Sequence, residues 1–352
     1  MLLLMWLSGC ASLSYLGQAA SGQAEVMERA RPIDALLADP TTPGELADKL
    51  RFARDVRRFA IDELGLPDNE SYTRYADLGR PYPVWNIVAT QPLDLTPVQS
   101  CFPVAGCLDY RGYYREEEAR RHAESLIAKG MDVFWYGVPA YSTLGWFADP
   151  LLNSTIRYGR ADLARLIFHE LAHQQVYVKD DSAFNEAFAT AVELEGFERW
   201  LRRHGDEAIR NDYQRNEARR AAFRDAMSRT RQRLLDIYQG PGSDATKLAA
   251  KQSALEALAA EYAQLKARYK WMGYDAWFDP LPNNAHFASV ATYHRLVPAF
   301  RALFAEKEGN WTAFYEAVRA LAAQDKASRH AALESRLPLG TREETTAAEG
   351  AQ

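Results

Sequence analysis

Two histidines four residues apart, His169 and His173, lie in a segment whose apolar residues recur at helical spacing: Leu163, Leu166, Ile167 and Leu171. A helix sets residues i and i+4 one turn apart on a single face. Two imidazoles so placed can bind one zinc ion, as the pattern H-E-x-x-H does. Glu170 falls beside the metal's open position, where a carboxylate takes a proton from water that zinc has acidified toward a pKa of about 7. The stretch 174–182 is polar and turns the chain back. Phe184-Asn185-Glu186-Ala187-Phe188-Ala189 then opens the next helix. Glu186 thereby faces the two histidines from an antiparallel helix and completes a two-His, one-Glu set with a fourth position left for water. Glu186, Thr190 and Glu193 share one face of that helix, at i, i+4 and i+7. Glu193 is the rival third ligand, and Thr190 or Glu193 is a candidate partner that orients a ligand histidine.

The chain of 352 residues carries 42 basic and 47 acidic side chains, a net charge of -5. No basic excess points to nucleic acid, and none is expected as a partner. The expected fold class is α+β, mostly α-helical, with a small mixed sheet beside the H-E-x-x-H helix. A long antiparallel helical hairpin follows toward the C-terminal half. A helical part is expected over 25–80, where Leu46, Leu50, Ala53, Val56 and Phe59 repeat at helical spacing and Gly65 stops the run. The sheet and the active-site helices occupy 81–200. Strands are expected at Pro83–Thr90, within Leu108–Tyr114 and at Met131–Val138, with one more extended stretch near Tyr141 to Trp146. A helix fills 116–129 between them. Charged helices over about 206–238 and 245–270 flank Gln239-Gly-Pro-Gly-Ser243, a turn that makes them a hairpin. The C-terminal helices lie within 283–325, at about 285–305 and 310–324. Residues 25–338 are expected as a single catalytic domain, and 339–352 as a mobile tail.

Residues 1–24 read differently. Met1 to Leu7 is apolar but too short to span a bilayer. Leu7-Ser8-Gly9-Cys10 resembles the lipobox of bacterial lipoproteins, which implies acylation of Cys10 and a tether over 11–24. The expected location is the bacterial cell envelope, lipid-anchored and facing the periplasm. Export also suits the other two cysteines. Pro103 and Gly106 favour a turn within Cys101-Phe-Pro-Val-Ala-Gly-Cys107, so a bridged surface loop is expected.

His169-Glu170-Leu-Ala-His173 followed by Asn185-Glu186-Ala-Phe-Ala resembles the gluzincin zinc peptidases, the clan of thermolysin and aminopeptidase N. In those an Asn-Glu pair on the following helix supplies the third ligand. The chain from about 30 to 335 also resembles a bacterial family of predicted zinc-dependent aminopeptidases found as lipoproteins. That resemblance rests on Cys101–Cys107, Tyr110-Arg-Gly-Tyr113, Val138–Trp146 and Asn283-Asn-Ala285. It implies zinc as cofactor, a peptide or protein substrate, and aminopeptidase activity. The twelve residues between His173 and Glu186 are fewer than is usual in gluzincins, and Glu193 sits near the longer spacing. The Asn-Glu-Ala-Phe-Ala context favours Glu186.

In related peptidases an edge strand ahead of the metal helix pairs with an extended peptide. Here that stretch includes Tyr141, Ser142, Thr143, Leu144 and Gly145, and it carries no acid to hold a substrate amine. Endopeptidase action in the envelope therefore stands as an alternative. A second alternative is a non-catalytic lipoprotein whose helical hairpin binds a partner. An oxyanion also needs a donor, and Tyr293 is the first candidate and His294 the second.

Overall fold

The computed structural model describes residues 6–102, 106–143, 145–205, 207–291 and 295–337. In chain order it begins with α1 (Trp6–Arg29), β1 (Arg31–Pro32), α2 (Ile33–Ala38), α3 (Gly44–Leu64) and β2 (Arg74–Ala76). Next come β3 (Val84–Thr90), β4 (Ser100–Phe102), β5 (Gly106–Leu108), β6 (Arg111–Tyr113), α4 (Glu116–Ile127) and β7 (Asp132–Val138). β8 (Leu151–Leu152), α5 (Asn153–Ile156), α6 (Arg160–Gln175) and α7 (Ser182–His204) follow. The long helices α8 (Glu207–Gln239) and α9 (Asp244–Tyr269) precede α10 (Asn284–Ala291), α11 (Val297–Glu306), α12 (Trp311–Ala322) and α13 (Lys326–Glu334). The architecture is α+β and mostly helical, with small sheets.

The chain divides into two compact units. The first comprises residues 1–84, 137–204 and 292–352. Its center is α6, packed between α3 and α7, and α7 packs in turn on α11. α3 buries one stripe, whereas α6 and α7 are buried over most of their surface. The stripe of α3 is Leu50, Ala53, Val56, Phe59, Ala60 and Leu64, and the helix ends on Gly65 at φ +64°, a left-handed C-terminal position that suits glycine. In α7 the buried set is Phe184, Ala187, Phe188, Ala191, Val192 and Phe197. Gly196 lets α7 approach closely, because a β-carbon there would lie 2.6 Å from Leu64 Cδ1 and 3.3 Å from Phe168 Cδ2. A small mixed sheet of order β1-β2-β8 lies in this unit, with β1–β2 antiparallel and β2–β8 parallel.

The second unit comprises residues 85–136 and 205–291. Its helical hairpin buries Phe223, Ala226, Met227 and Leu234 of α8 with Ala254, Leu255, Leu258 and Tyr262 of α9. Its larger sheet has the order β6-β3-β7, and β4 pairs with β5 in a separate ribbon. Cys101 and Cys107 face each other across that ribbon and form a disulfide. Asn284 and Lys251 brace the start of α10. The Asn284 side chain donates to the carbonyls of Gln91, Pro92 and Asp94, while Lys251 is ion-paired with Asp132.

Three sequence expectations differ from the structure. The stretch 139–148 is not a strand among the described residues. It folds back on itself, with Trp146 N–H donating to the Thr143 carbonyl. A single helix over 285–305 is replaced by α10 and α11. Pro298 sits in the first turn of α11, where its missing N–H costs nothing, and it could not have continued a preceding helix. Residues 11–24, expected as a tether, lie within α1, and no described helix is long and apolar enough to cross a membrane. One helix was not anticipated, α13, capped by Asp325, which accepts from Ser328 N–H.

Candidate metal centre

Glycine at the N-cap starts α6, which is buried along most of its surface and packs on both α3 and α7. Its His169 and His173 have their Nε2 atoms 3.2 Å apart. The return of the chain is fixed by Asn185. Its amide donates to the Val178 carbonyl at 2.7 Å and accepts from Val178 N–H at 2.8 Å, which clamps the connection between the helices. That clamp delivers the next residue, Glu186, to the histidines. Its Oε2 lies 3.3 Å from His169 Nε2 and 3.8 Å from His173 Nε2.

Two of these spacings, 3.2 and 3.3 Å, match a tetrahedral ligand edge, and the third is longer at 3.8 Å. Bonds of about 2.0–2.1 Å at tetrahedral angles separate neighbouring ligand atoms by about 3.3 Å. The three atoms are the described cluster of His, Cys, Asp and Glu side chains able to share one ion. Burial pushes the His173 imidazole down to about 4, so it stays neutral, the form that binds a metal. For His169 burial acts the same way, but the carboxylates of Glu186 and Glu193 outweigh it and raise its pKa.

Glu193 serves the same imidazole from the other side. Its Oε2 is 3.0 Å from His169 Nδ1, and its Oε1 is 2.7 Å from the Arg165 guanidinium. Burial raises the pKa of Glu193, yet the bonds from His169 and Arg165 bring it below the usual range. Thr190 is buried on the same face but makes no hydrogen bond to either histidine among the described residues.

Glu170 is 8% exposed and has no ion pair or hydrogen bond among the described residues. Burial raises its pKa; His169 opposes this, while the charges of Glu186, Asp149 and Glu193 add to it, and the result is about 7. Asp149 is 3% exposed, and both its oxygens are taken by Thr143, whose N–H and hydroxyl each donate at 2.8 Å. Thr143 therefore has its donors committed within its own loop. Tyr141 donates its hydroxyl to Gln23 at 2.5 Å, and Ser142 and Gly145 lie on the same loop. Leu144, Tyr293 and His294 lie outside the described residues.

A family model described as "Putative aminopeptidase" matches residues 14–333. The chain belongs to that family. No curated protein and no solved structure matches it. A family so described points to peptide hydrolysis. Two residues around this cluster were not singled out in the sequence: Tyr72, and Arg165, which pairs with Glu193. Only Arg165 had a local signal, since it precedes His169 by one helical turn.

Proposed function

We propose that the chain is a zinc-dependent aminopeptidase in which His169, His173 and Glu186 hold the metal and Glu170 is the general base. The observation that carries this reading is the convergence of His169 Nε2, His173 Nε2 and Glu186 Oε2 within 3.8 Å of one another, with a buried carboxyl, unpaired among the described residues, one residue from the first ligand. Zinc held by His169, His173 and Glu186 would supply Lewis acidity to a substrate carbonyl and lower the pKa of water. Glu170 removes a proton from the attacking water and returns it to the leaving amine, so one residue acts as base and then as acid. Its raised pKa suits both halves of that exchange, because proton transfer is most efficient when donor and acceptor are poised near the working pH. Glu193 fixes the His169 ring through Nδ1, which leaves Nε2 for the metal. Arg165 holds Glu193 in place.

The same reading places the chain in the bacterial cell envelope, anchored through a lipid on Cys10. The Cys101–Cys107 disulfide is at home in an oxidising compartment.

Metal analysis of purified protein, combined with hydrolysis of free and N-blocked peptides, tests the proposal. About one zinc per chain is expected in wild type, and Glu186→Gln should lose it. Cleavage should require a free amino terminus. Equal cleavage of N-blocked peptides would make the enzyme an endopeptidase, and a metal-free wild type would overturn the zinc assignment.

A further inference from the structure

Tyr72 is 4% exposed, and its hydroxyl has no hydrogen-bond partner among the described residues. A buried, unpaired hydroxyl is destabilising, so its presence asks for a reason. The backbone around it is also unusual, since Tyr72 is a non-glycine residue at φ +61°. Left-handed φ at such a residue is strained and persists only where neighbours enforce it. The enforcing bonds are plain. Tyr72 N–H donates to the Asp149 carbonyl at 2.7 Å. Asn69 donates to the Gln174 side chain at 2.6 Å, and Gln174 donates to Ser71 Oγ at 3.2 Å. The segment is thus tied to the last turn of α6, directly after His173.

The groups that act on the phenol are those of the site. Burial raises its pKa well above 10, and the charges of Glu170, Asp149 and Tyr141 add to the effect. Tyr72 therefore keeps its proton at neutral pH and remains a neutral donor. Its neighbours are already engaged. Tyr141 gives its proton to Gln23, Thr143 gives both of its donors to Asp149, and Arg165 serves Glu193. Acceptors are abundant around Glu170, whereas the Tyr72 proton is uncommitted.

Resting on the peptidase reading above, we propose that Tyr72 is a catalytic residue, whose hydroxyl donates a hydrogen bond to the carbonyl oxygen of the scissile peptide as negative charge grows on it. The charge balance favours this placement. Glu170 loses its negative charge by taking the water's proton in the same step that builds charge on the oxygen, so the nearby carboxyl does not repel the oxyanion at the transition state. A donor held in place beforehand in a water-poor site is worth a factor of about 10²–10³ in rate.

Tyr72→Phe keeps the ring and removes only the hydroxyl. Expected are a kcat lower by about a hundredfold, a KM within about threefold of wild type, unchanged zinc content, and a melting temperature equal to or above that of wild type. A phosphinic peptide that mimics the tetrahedral intermediate should bind the variant more weakly by a similar factor in calorimetry, while a product amino acid binds as before. Wild-type kcat and wild-type inhibitor affinity in Tyr72→Phe would overturn this inference and leave the peptidase reading intact. A wild-type protein that neither cleaves peptides nor binds the inhibitor would overturn both.

Discussion

Glu170 and Glu193 are both buried carboxyl groups within reach of His169's influence, yet their surroundings assign them opposite tasks. Glu193 is saturated, with His169 on one oxygen and Arg165 on the other. Glu170 has no hydrogen bond or ion pair among the described residues and is 8% exposed. A saturated carboxylate is a fixture, and an unpaired one in a low-dielectric site is free to exchange a proton. Glu170→Gln preserves size and removes the base. We expect zinc content close to wild type and a rate loss of at least about a hundredfold, read by metal analysis and steady-state kinetics on one preparation. His169→Ala should lose metal and activity together, which separates a ligand from a base. Wild-type turnover by Glu170→Gln on a genuine peptide would sink the mechanism. Glu193→Gln should keep most of its zinc at saturating metal and lose about 10–100-fold in metal affinity or activity, because its partner position orients the imidazole without touching the metal. If Glu193→Gln loses metal while Glu186→Gln keeps it, the third ligand is Glu193.

Helix α7 carries Glu186, the proposed third ligand, and its start is held by an ion cluster remote in sequence. Asp181 is 1% exposed, with its carboxylate 2.6 Å from Arg329 and 2.9 Å from His330 of α13. Burial works to raise its pKa, but the bonds from His330 and Arg329 prevail and leave it at about 2, against 3.8 for a free side chain. A depressed carboxylate stabilises the fold above its unfolded pKa, and that contribution disappears as pH falls through the folded value. The shift corresponds to about 2 kcal/mol, present at pH 7 and draining away between about pH 4 and pH 2. Asp181→Asn should destabilise by at least that amount at pH 7, because it also leaves Arg329 buried without its counter-charge. Denaturant melts at a series of pH values check this, and a wild-type-to-variant gap that fails to narrow toward acid would refute the linkage. The cluster also marks where sequence reading stops. The H-E-x-x-H helix and the α8–α9 hairpin were legible because their periodicity and Gly-Pro turn are local signals. Choosing between Glu186 and Glu193 was not settled by pattern, since they are two turns apart on one face. The Asn185 clamp decides which of them meets the Nε2 atoms, and it depends on a three-dimensional turn. Strands of two or three residues, such as β2 and β8, have no periodicity to read. Tyr72 and Glu170 lie nearly a hundred positions apart, and nothing local connects them.

Across the whole molecule the chemistry and the covalent bridge are partitioned. The first unit holds His169, Glu170, His173, Glu186, Asp149 and Tyr72, and the second holds the Cys101–Cys107 ribbon and the helical hairpin. Loss of the disulfide should therefore act through the second unit's stability and not through metal binding, whose ligands are all in the first. Residue 10 completes the picture from the sequence side. Leu7-Ser8-Gly9-Cys10 has the small residues that acylation and cleavage need around a cysteine. A single lipid chain binds membranes only marginally, so stable anchoring requires more than one. We expect Cys10→Ser to move the protein from the membrane fraction to the soluble fraction of the envelope, with peptidase activity retained, since no site residue is near position 10 in sequence. In the same material, non-reducing peptide mapping should recover Cys101 joined to Cys107. The two measurements check different steps. Membrane retention of Cys10→Ser would remove the lipid anchor but leave export standing. Free thiols at both Cys101 and Cys107 in envelope-derived protein would instead count against the oxidising compartment, because a pair held in register across a ribbon oxidises readily wherever disulfides persist.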